Sequence, residues 1–291
     1  MARTRTGSFP IGFRRGWSDW QKDARQVIAF ATQNGFEAID FGSKQVADIK
    51  QAIDAGLRIG SVDLMQWPDL ASPDAAKRRA AVEANMSMVK TLVSLGARNF
   101  FAVVIPEDKA RNRKENFDFA VDGYGQLCAQ LSSVDAKLVL EGWPGGGENL
   151  ACTPADYRAF LQAVGSDAAG VNFDPSHLIR MGIDPVRFVD QFAPRIFHVH
   201  GKDTEILDDE LYEHGNFQRA TFAKGHGFGA HHWRYTIPGH GCARWTRLLK
   251  ALEAAGYAGC VSIELEDENF NGTEQGEKRG LIAGRDFLAG V

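Results

Sequence analysis

Apolar, strand-like runs alternate with helix-like segments from one end of this chain to the other. Eight runs are rich in Val, Ile and Phe and apolar on both faces, as parallel strands covered by helices should be. The predicted strands are Phe9–Phe13, Phe36–Phe41, Leu57–Asp63, Asn99–Ile105, Lys137–Glu141, Gly170–Asp174, Arg195–His200 and Gly259–Glu264. The predicted helices are Trp17–Gln33, Lys44–Ala55, Pro73–Leu95, Lys114–Ser133, Pro154–Val164, Pro185–Phe192, Ala243–Ala255 and Thr273–Leu288.

Eight β-then-α units favour an α/β fold, a single (β/α)8 TIM barrel that spans residues 1–291. An open doubly wound sheet is the alternative, but such a sheet usually carries a glycine-rich phosphate-binding loop after its first strand. The densest glycine run, Gly145–Gly147, lies in the middle of the chain and lacks the spacing of that loop. We therefore expect one barrel domain.

Four of the predicted strands end on a residue that can bind a metal ion. These residues are Glu141, Asp174, His200 and Glu264. Taken singly, each residue has a structural explanation: either Glu could be a surface carboxylate, Asp174 could form a turn, and His200 could be a structural histidine. The carboxyl ends of barrel strands converge, however, so four such residues on successive predicted strands favour a shared site. Three carboxylates and one imidazole suit one divalent cation, Mn²⁺ first, with Mg²⁺ or Co²⁺ as alternatives.

Two further histidines follow the same strands. His177 comes three residues after Asp174, a spacing that places it over the same pocket as a substrate contact or makes it a structural cap. His198 lies two residues before His200, so both side chains point to one side of the strand. His198 is therefore a candidate for substrate contact, and a histidine packed in the core is the alternative.

The connection between the seventh strand and its helix, 201–242, is unusually long, and long loops in barrels are usually functional. We expect it to fold over the site as a lid or wall. Its histidines, among them His240, lack regular ligand spacing, so we interpret them as lining the substrate rather than binding a second metal ion.

Two further candidates lie near the ends of the strands. At the start of the long connection, Lys202 is placed to polarise a sugar oxygen, unless it belongs to a solvated charge pair. Trp143, after the fifth strand, is a candidate platform for a sugar ring, with core packing as the alternative.

The charge of the chain excludes several classes of partner. Its formal net charge is −4, which does not favour binding to nucleic acid or to an anionic membrane surface. No apolar run is long enough to span a bilayer, and no secretory signal is apparent. The four cysteines show no CxxC pair, which favours reduced thiols and a cytoplasmic protein.

Several strings of residues resemble the xylose-isomerase-like TIM-barrel superfamily of sugar isomerases and epimerases. The matching strings are Phe173–Leu178, His198–Glu205, Trp233–Gly241 and Ser262–Asp267. The resemblance implies that the four strand-end residues bind the metal and that Glu141 and Glu264 also form the acid–base pair. It further implies a substrate contact for His177, and we place Arg234 and His240 of the third string with it. Two substrate-binding positions differ, because Gly147 and Ile206 stand where the epimerases carry Glu and Arg.

The sequence thus predicts a divalent-metal-dependent sugar isomerase or epimerase that transfers a proton through a metal-bound enediolate. A metal-dependent lyase is the first alternative, either a dehydratase of a keto-inositol or an enzyme that cleaves a 3-keto-glycoside. A non-catalytic sugar-binding module is the second. We expect a small sugar or keto sugar as the ligand and a homo-oligomer as the assembly. A complex with a small second subunit is the alternative, as in related barrels that cleave C-glycosides.

Overall fold

Eight parallel strands close into a barrel in the computed structural model, which describes residues 1–219 and 221–291. The barrel strands are β1 (Ile11–Arg14), β2 (Ala38–Phe41), β3 (Arg58–Asp63), β4 (Asn99–Ala102), β5 (Lys137–Glu141), β6 (Ala169–Phe173), β7 (Ile196–Gly201) and β10 (Val261–Ile263). Each strand pairs with the barrel strand before and after it in the chain, and β10 closes the barrel on β1. The predicted TIM barrel is confirmed, and every strand prediction overlaps a barrel strand.

Helices cover the outside of the barrel. They are α1 (Asp19–Lys22), α2 (Ala24–Gln33), α3 (Ile49–Asp54), α4 (Ala75–Ser94), α5 (Arg113–Ser132), α6 (Pro154–Val164), α7 (Pro175–Arg180), α8 (Pro185–Phe192), α9 (Asp208–His214), α10 (Trp245–Ala254) and α11 (Glu274–Gly290). Two predicted helices differ from the structure. The helix predicted over Trp17–Gln33 is interrupted at Asp23, whose side chain caps α2 by accepting from the backbone N–H of Arg25 at 2.9 Å. The one predicted over Lys44–Ala55 begins as a 3₁₀ helix, Ser43–Asp48, before α3.

The interior of the barrel contains polar as well as apolar side chains. Asp40, Ser61, His198, His200 and Ser262 are all fully buried. Buried polar groups are usually paired, and Asp40 pairs here with Nε2 of His198 at 2.8 Å and accepts from the Ser262 hydroxyl and the backbone N–H of Ser61 at 3.0 Å. The site described below rests on this polar layer.

The long connection after β7 contains regular structure where a lid or wall loop was predicted. Strands β8 (Asp203–Ile206) and β9 (Trp233–Thr236) pair antiparallel, with Asp203 opposite Thr236 and Ile206 opposite Trp233. Helix α9 lies between them in the chain, and Ala220 is outside the described residues. The hairpin carries Tyr235, which reaches the ends of the barrel strands.

Among the described residues, no helix combines the length and the apolar character needed to cross a bilayer.

Candidate metal centre

The four predicted ligands lie together at the carboxyl end of the barrel. Glu141 ends β5, Asp174 follows β6, His200 lies in β7 and Glu264 follows β10, and these four strands are neighbours. Each residue offers one donor atom, and these atoms all lie within 4.8 Å of one another. The convergence of parallel strand ends is therefore enough to assemble the set.

The donor atoms are closely spaced and shielded from water. His200 Nδ1 lies 2.7 Å from Glu141 Oε2 and 3.5 Å from Glu264 Oε2. Three of the residues are buried, and the Glu264 side chain is 16% exposed. Burial and the nearby Glu264 would raise the pKa of Glu141, but His200 and His177 outweigh them and hold it below its ordinary value. The histidines thus favour the anionic form of Glu141 despite its burial.

The donor set fits a divalent cation. The Oδ2 atom of Asp174 is buried and has no hydrogen-bond partner among the described residues; Nζ of Lys202 lies 3.3 Å and Nε2 of His177 lies 3.4 Å away from it. Its lone pairs can therefore still bind a cation. Three carboxylates and one imidazole nitrogen are ligands that suit hard-to-borderline divalent ions.

Lys202 belongs to the same cluster. Its side chain is 1% exposed, and its Nζ lies 2.9 Å from Glu266 Oε2 and 3.3 Å from Asp174 Oδ2. It also donates to Glu264 Oε2 and packs 4.5 Å from the centre of the Tyr235 ring. Burial would lower the pKa of Lys202, but the carboxylates around it raise it well above its ordinary value. The solvated charge pair considered for Lys202 is therefore wrong, because the ammonium is an internal counter-ion of the carboxylates.

His177 contacts two of the candidate ligands. Its Nε2 lies 3.2 Å from Glu141 Oε1 and 3.4 Å from Asp174 Oδ2, and its Nδ1 lies 2.7 Å from the hydroxyl of Tyr235. Arg180 Nη1 donates to the same hydroxyl at 2.8 Å, so Tyr235 links Arg180 to His177.

Tyr235 and Arg180 are site residues that the sequence analysis did not select. Tyr235 lies in the string Trp233–Gly241, so the resemblance could have indicated it. Arg180 ends α7, which was not predicted, and its guanidinium stacks 4.2 Å from the Trp233 ring.

Arg14 is a third residue that the sequence analysis missed. It ends β1, forms two hydrogen bonds of 2.8 Å with Asp63 at the end of β3, and lies 3.2 Å from Glu264 Oε1. A cavity of about 260 Å³ opens beside it and is lined by Glu264, Trp17 and Phe228, among others. The cavity therefore gives access to Glu264.

His198 lies below the candidate ligands, inside the barrel. It is fully buried, and its Nε2 lies 2.8 Å from Asp40 Oδ2. Burial would lower the pKa of His198, but the carboxylate of Asp40 raises it to about 9. The pairing with Asp40 agrees with the alternative of a histidine packed in the core. For His198, contact with a substrate stays a prediction.

Three predicted substrate contacts have no described contact with the ligand cluster. Arg234 pairs with Glu205 at 2.7 Å and with Asp267 at 3.4 Å. His240 is exposed and lies 6.1 Å from the Phe270 ring. Trp143 is 41% exposed after β5. For these residues, contact with a substrate stays a prediction.

A closed parallel barrel with this donor set at its carboxyl end defines a TIM-barrel protein with a candidate metal centre. The sequence profile of the xylose isomerase-like TIM-barrel family matches residues 26–290. The chain belongs to this family, and the resemblance of its sequence is confirmed.

Similar proteins include sugar-converting enzymes of two kinds. Inosose dehydratase from Lacticaseibacillus casei is 24% identical over 164 residues, which are 56% of this chain and 51% of that protein. D-psicose 3-epimerase from Clostridium cellulolyticum H10 is 16% identical with a TM-score of 0.71, covering 96% of this chain and 98% of the epimerase. The IolI protein, solved with a zinc atom, is 17% identical with a TM-score of 0.66, covering 96% of each chain. The chain spans about half the length of the curated relatives it matches.

Proposed function

We propose that this protein is a divalent-metal-dependent sugar isomerase or epimerase that moves a proton through an enediolate of a keto sugar. The observation that carries the proposal is the convergence of four donor atoms within 4.8 Å at the end of the barrel. Glu141, Asp174, His200 and Glu264 would hold the ion, with Mn²⁺ our first expectation. A bound cation of this kind polarises a carbonyl group and its neighbouring hydroxyl, which acidifies the carbon between them.

Glu141 and Glu264 are the candidate acid–base pair. Glu141 receives a hydrogen bond of 2.7 Å from Asn172 Nδ2 and faces His177, so its position is fixed from two sides. Glu264 is held by Arg14 and Lys202 and borders the cavity. Carboxylates fixed in this way can accept a proton from one carbon and return it to the same or a neighbouring carbon.

His177 and Lys202 are the candidate polar contacts of the sugar. Both side chains lie among the candidate ligands and carry N–H groups, which can donate to hydroxyl or carbonyl oxygens. Lys202 is next to Glu264, so its ammonium is also close to any oxygen that develops negative charge there.

A dehydratase is the second candidate function. The similarity to inosose dehydratases favours it, and so does the ammonium of Lys202 beside Glu264. In such a reaction a carboxylate removes a proton from the carbon next to the carbonyl, and the resulting carboxylic acid gives this proton to the hydroxyl on the following carbon, which leaves as water, while the ammonium stabilises the negative charge that develops. Both functions use the same first proton transfer.

The test begins with the metal content of the purified protein. We expect about one divalent ion per chain in the wild type and a loss of bound metal when Asp174→Ala and His200→Ala are combined. The variant His240→Ala, in an exposed residue, is the control and should keep its metal. Unchanged metal content in the double variant would overturn the assigned centre.

Turnover of ketoses, keto-inositols and 3-keto-glycosides in D₂O separates the reactions. Deuterium in recovered substrate or in an isomer supports the isomerase or epimerase, whereas a product that has lost water or an aglycone supports the lyase. Glu141→Gln and Glu264→Gln should each lower turnover by roughly 10²–10⁴-fold. A protein that binds a sugar but leaves all of these substrates unchanged would instead be the non-catalytic module.

Light scattering of the same sample tests the proposed assembly. A mass of two or more chains supports the predicted homo-oligomer, whereas a single chain without turnover favours the alternative of a complex with a small subunit.

A further inference from the structure

The ring of His200 has two nitrogens in different surroundings. Nδ1 faces the carboxylates of Glu141 and Glu264, so it is the nitrogen that can bind a metal ion. Nε2 points into the barrel, is buried and has no hydrogen-bond partner among the described residues. The polar atom on that side is Asp40 Oδ2, at 3.5 Å.

The carboxylate of Asp40 is held in place by groups from three other strands. Its Oδ1 accepts from the backbone N–H of Ser61 and from the hydroxyl of Ser262, both at 3.0 Å. Its Oδ2 pairs with Nε2 of His198 at 2.8 Å. The register of β2 against β3 shifts between Ile39 and Phe41, so Asp40 lies at an irregularity of the sheet. Such irregularities often redirect a side chain next to a functional site.

The chain also leaves room for this carboxylate. A Cβ atom at Gly60 would collide with Asp40 Oδ1, and it would lie 2.9 Å from His198 Cε1 and 3.0 Å from Cys260 Sγ. The backbone of Gly60 does not have a positive φ, so its conformation does not require glycine. The absence of a side chain at this position is what makes room for the Asp40 carboxylate. The His200 ring is further held by stacking on Phe101, with ring centres 5.7 Å apart.

We propose that Asp40 is a positioning residue for His200, and this inference rests on the proposed metal centre. The carboxylate keeps the ring proton of His200 on Nε2, so that Nδ1, which lies 3.0 Å from Nδ2 of Asn172 and faces the candidate ligands, is the nitrogen whose lone pair can bind the cation. Histidine ligands of metals commonly donate their second N–H to a carboxylate or carbonyl, and loss of that partner typically lowers metal affinity 10–100-fold. His198 and Ser262 hold Asp40 in turn, which gives these buried polar residues a role in the site.

The test measures the dissociation constant of Mn²⁺ by calorimetry and the visible absorption bands of the Co²⁺-loaded protein. In Asp40→Asn the amide can donate to Nε2 and so favour the wrong tautomer. We expect Mn²⁺ to bind about 10–100-fold more weakly, with shifted Co²⁺ bands. Asp203→Asn is the matched control, because Asp203 is also fully buried but accepts from Ala243, Thr204 and Trp245 and not from a candidate ligand. Its Mn²⁺ affinity should stay within twofold of the wild type.

Two milder variants keep the test decisive if Asp40→Asn does not fold. Ser262→Ala removes one donor to Asp40, and Gly60→Ala displaces its carboxylate; each should weaken Mn²⁺ binding about three- to tenfold without changing a ligand. Unchanged affinity and unchanged Co²⁺ bands in the variants that fold would overturn the role of Asp40 while leaving the metal centre intact. A wild type that binds neither Mn²⁺ nor Co²⁺ would overturn the metal centre itself.

Discussion

At the scale of single residues, Lys202 brings a buried positive charge to the carboxylates of the site. Its side chain is 1% exposed, and its ammonium lies among Asp174, which is buried, Glu264, which is 16% exposed, and Glu266, which is 35% exposed. A buried charge that loses its partner is strongly destabilising, because the remaining charge is neither paired nor hydrated. The ammonium therefore compensates the carboxylates when no cation is bound.

Lys202→Met tests this compensation. In the metal-free protein we expect the free energy of unfolding to fall by about 3–5 kcal/mol, since three carboxylates lose a shared counter-ion. Saturating Mn²⁺ should restore most of the loss, because the ion replaces the missing positive charge. Urea denaturation with EDTA and with Mn²⁺ measures both values.

Lys50→Met, in an exposed pair with Asp54, is the control for this prediction and should change the free energy of unfolding by less than about 0.5 kcal/mol. An equal loss for Lys202→Met in both conditions would contradict the counter-ion role.

The sequence contained more information about Lys202 than its charge suggests. Residues two apart on a strand point to the same side, so His198, His200 and Lys202 share one direction. Because β7 ends at Gly201, these three side chains lie at successive heights on that side of the strand, and Lys202 is at the carboxyl end of the barrel. The four ligands could be predicted because each ends a strand. Arg14 could not be distinguished in the same way, because it falls just after the predicted strand Phe9–Phe13 and its partner Asp63 is 49 residues away in the chain.

At the scale of elements, the hairpin of β8 and β9 completes the site. It was not predicted, because four-residue strands separated by a long segment rich in Gly and His give little periodic signal. The hairpin directs the hydroxyl of Tyr235 to His177, as described above. Folding of the connection thus adds a polar contact that the eight barrel strands do not supply.

Tyr235→Phe tests this contribution. Loss of the hydroxyl leaves His177 Nδ1 without this hydrogen-bond partner, so we expect kcat/KM to fall about tenfold, equivalent to roughly 1.4 kcal/mol. The measurement is steady-state turnover of the substrate found in the screen. Tyr212→Phe, in a residue that is 86% exposed on α9, is the matched control. Turnover that is the same in both variants would argue against a functional contact between the hairpin and His177.

Packing between α5 and the 3₁₀ helix Trp67–Ala71 depends on one glycine. A Cβ atom at Gly123 would collide with the backbone carbonyl oxygen of Leu70, whereas Gly125 in the same helix has open space around its Cβ position. We expect Gly123→Ala to lower the free energy of unfolding by about 1–3 kcal/mol. Gly125→Ala should raise it by roughly 0.5–1 kcal/mol, since alanine favours the helix. Urea denaturation of the two variants would contradict this account if both changed stability in the same direction.

At the scale of the whole molecule, closure of the barrel and assembly of the site depend on each other. The candidate ligands come from four neighbouring strands, and β10 both carries one of them and joins β7 to β1. A cation bound to all four therefore binds only the closed barrel. Ligands that bind only the folded state stabilise it against global unfolding.

Metal removal should accordingly lower the thermal stability of the entire chain. With Mn²⁺ at 100 times its dissociation constant, the free energy of unfolding should exceed that of the EDTA-treated protein by about 2.7 kcal/mol. Calorimetric scans with and without Mn²⁺ measure the difference. In Asp174→Ala the two scans should coincide to within a fraction of this value. A stabilisation by Mn²⁺ that persists in Asp174→Ala would place the ion elsewhere.

The hairpin has a consequence for how this protein can change over evolution. Tyr235 comes from an excursion between β7 and α10, whereas the candidate ligands come from the barrel strands themselves. Insertions, deletions and substitutions in the excursion can therefore alter the surroundings of His177 without moving a donor atom. Selection can act on one segment of the gene while the donor set encoded by the rest is inherited unchanged.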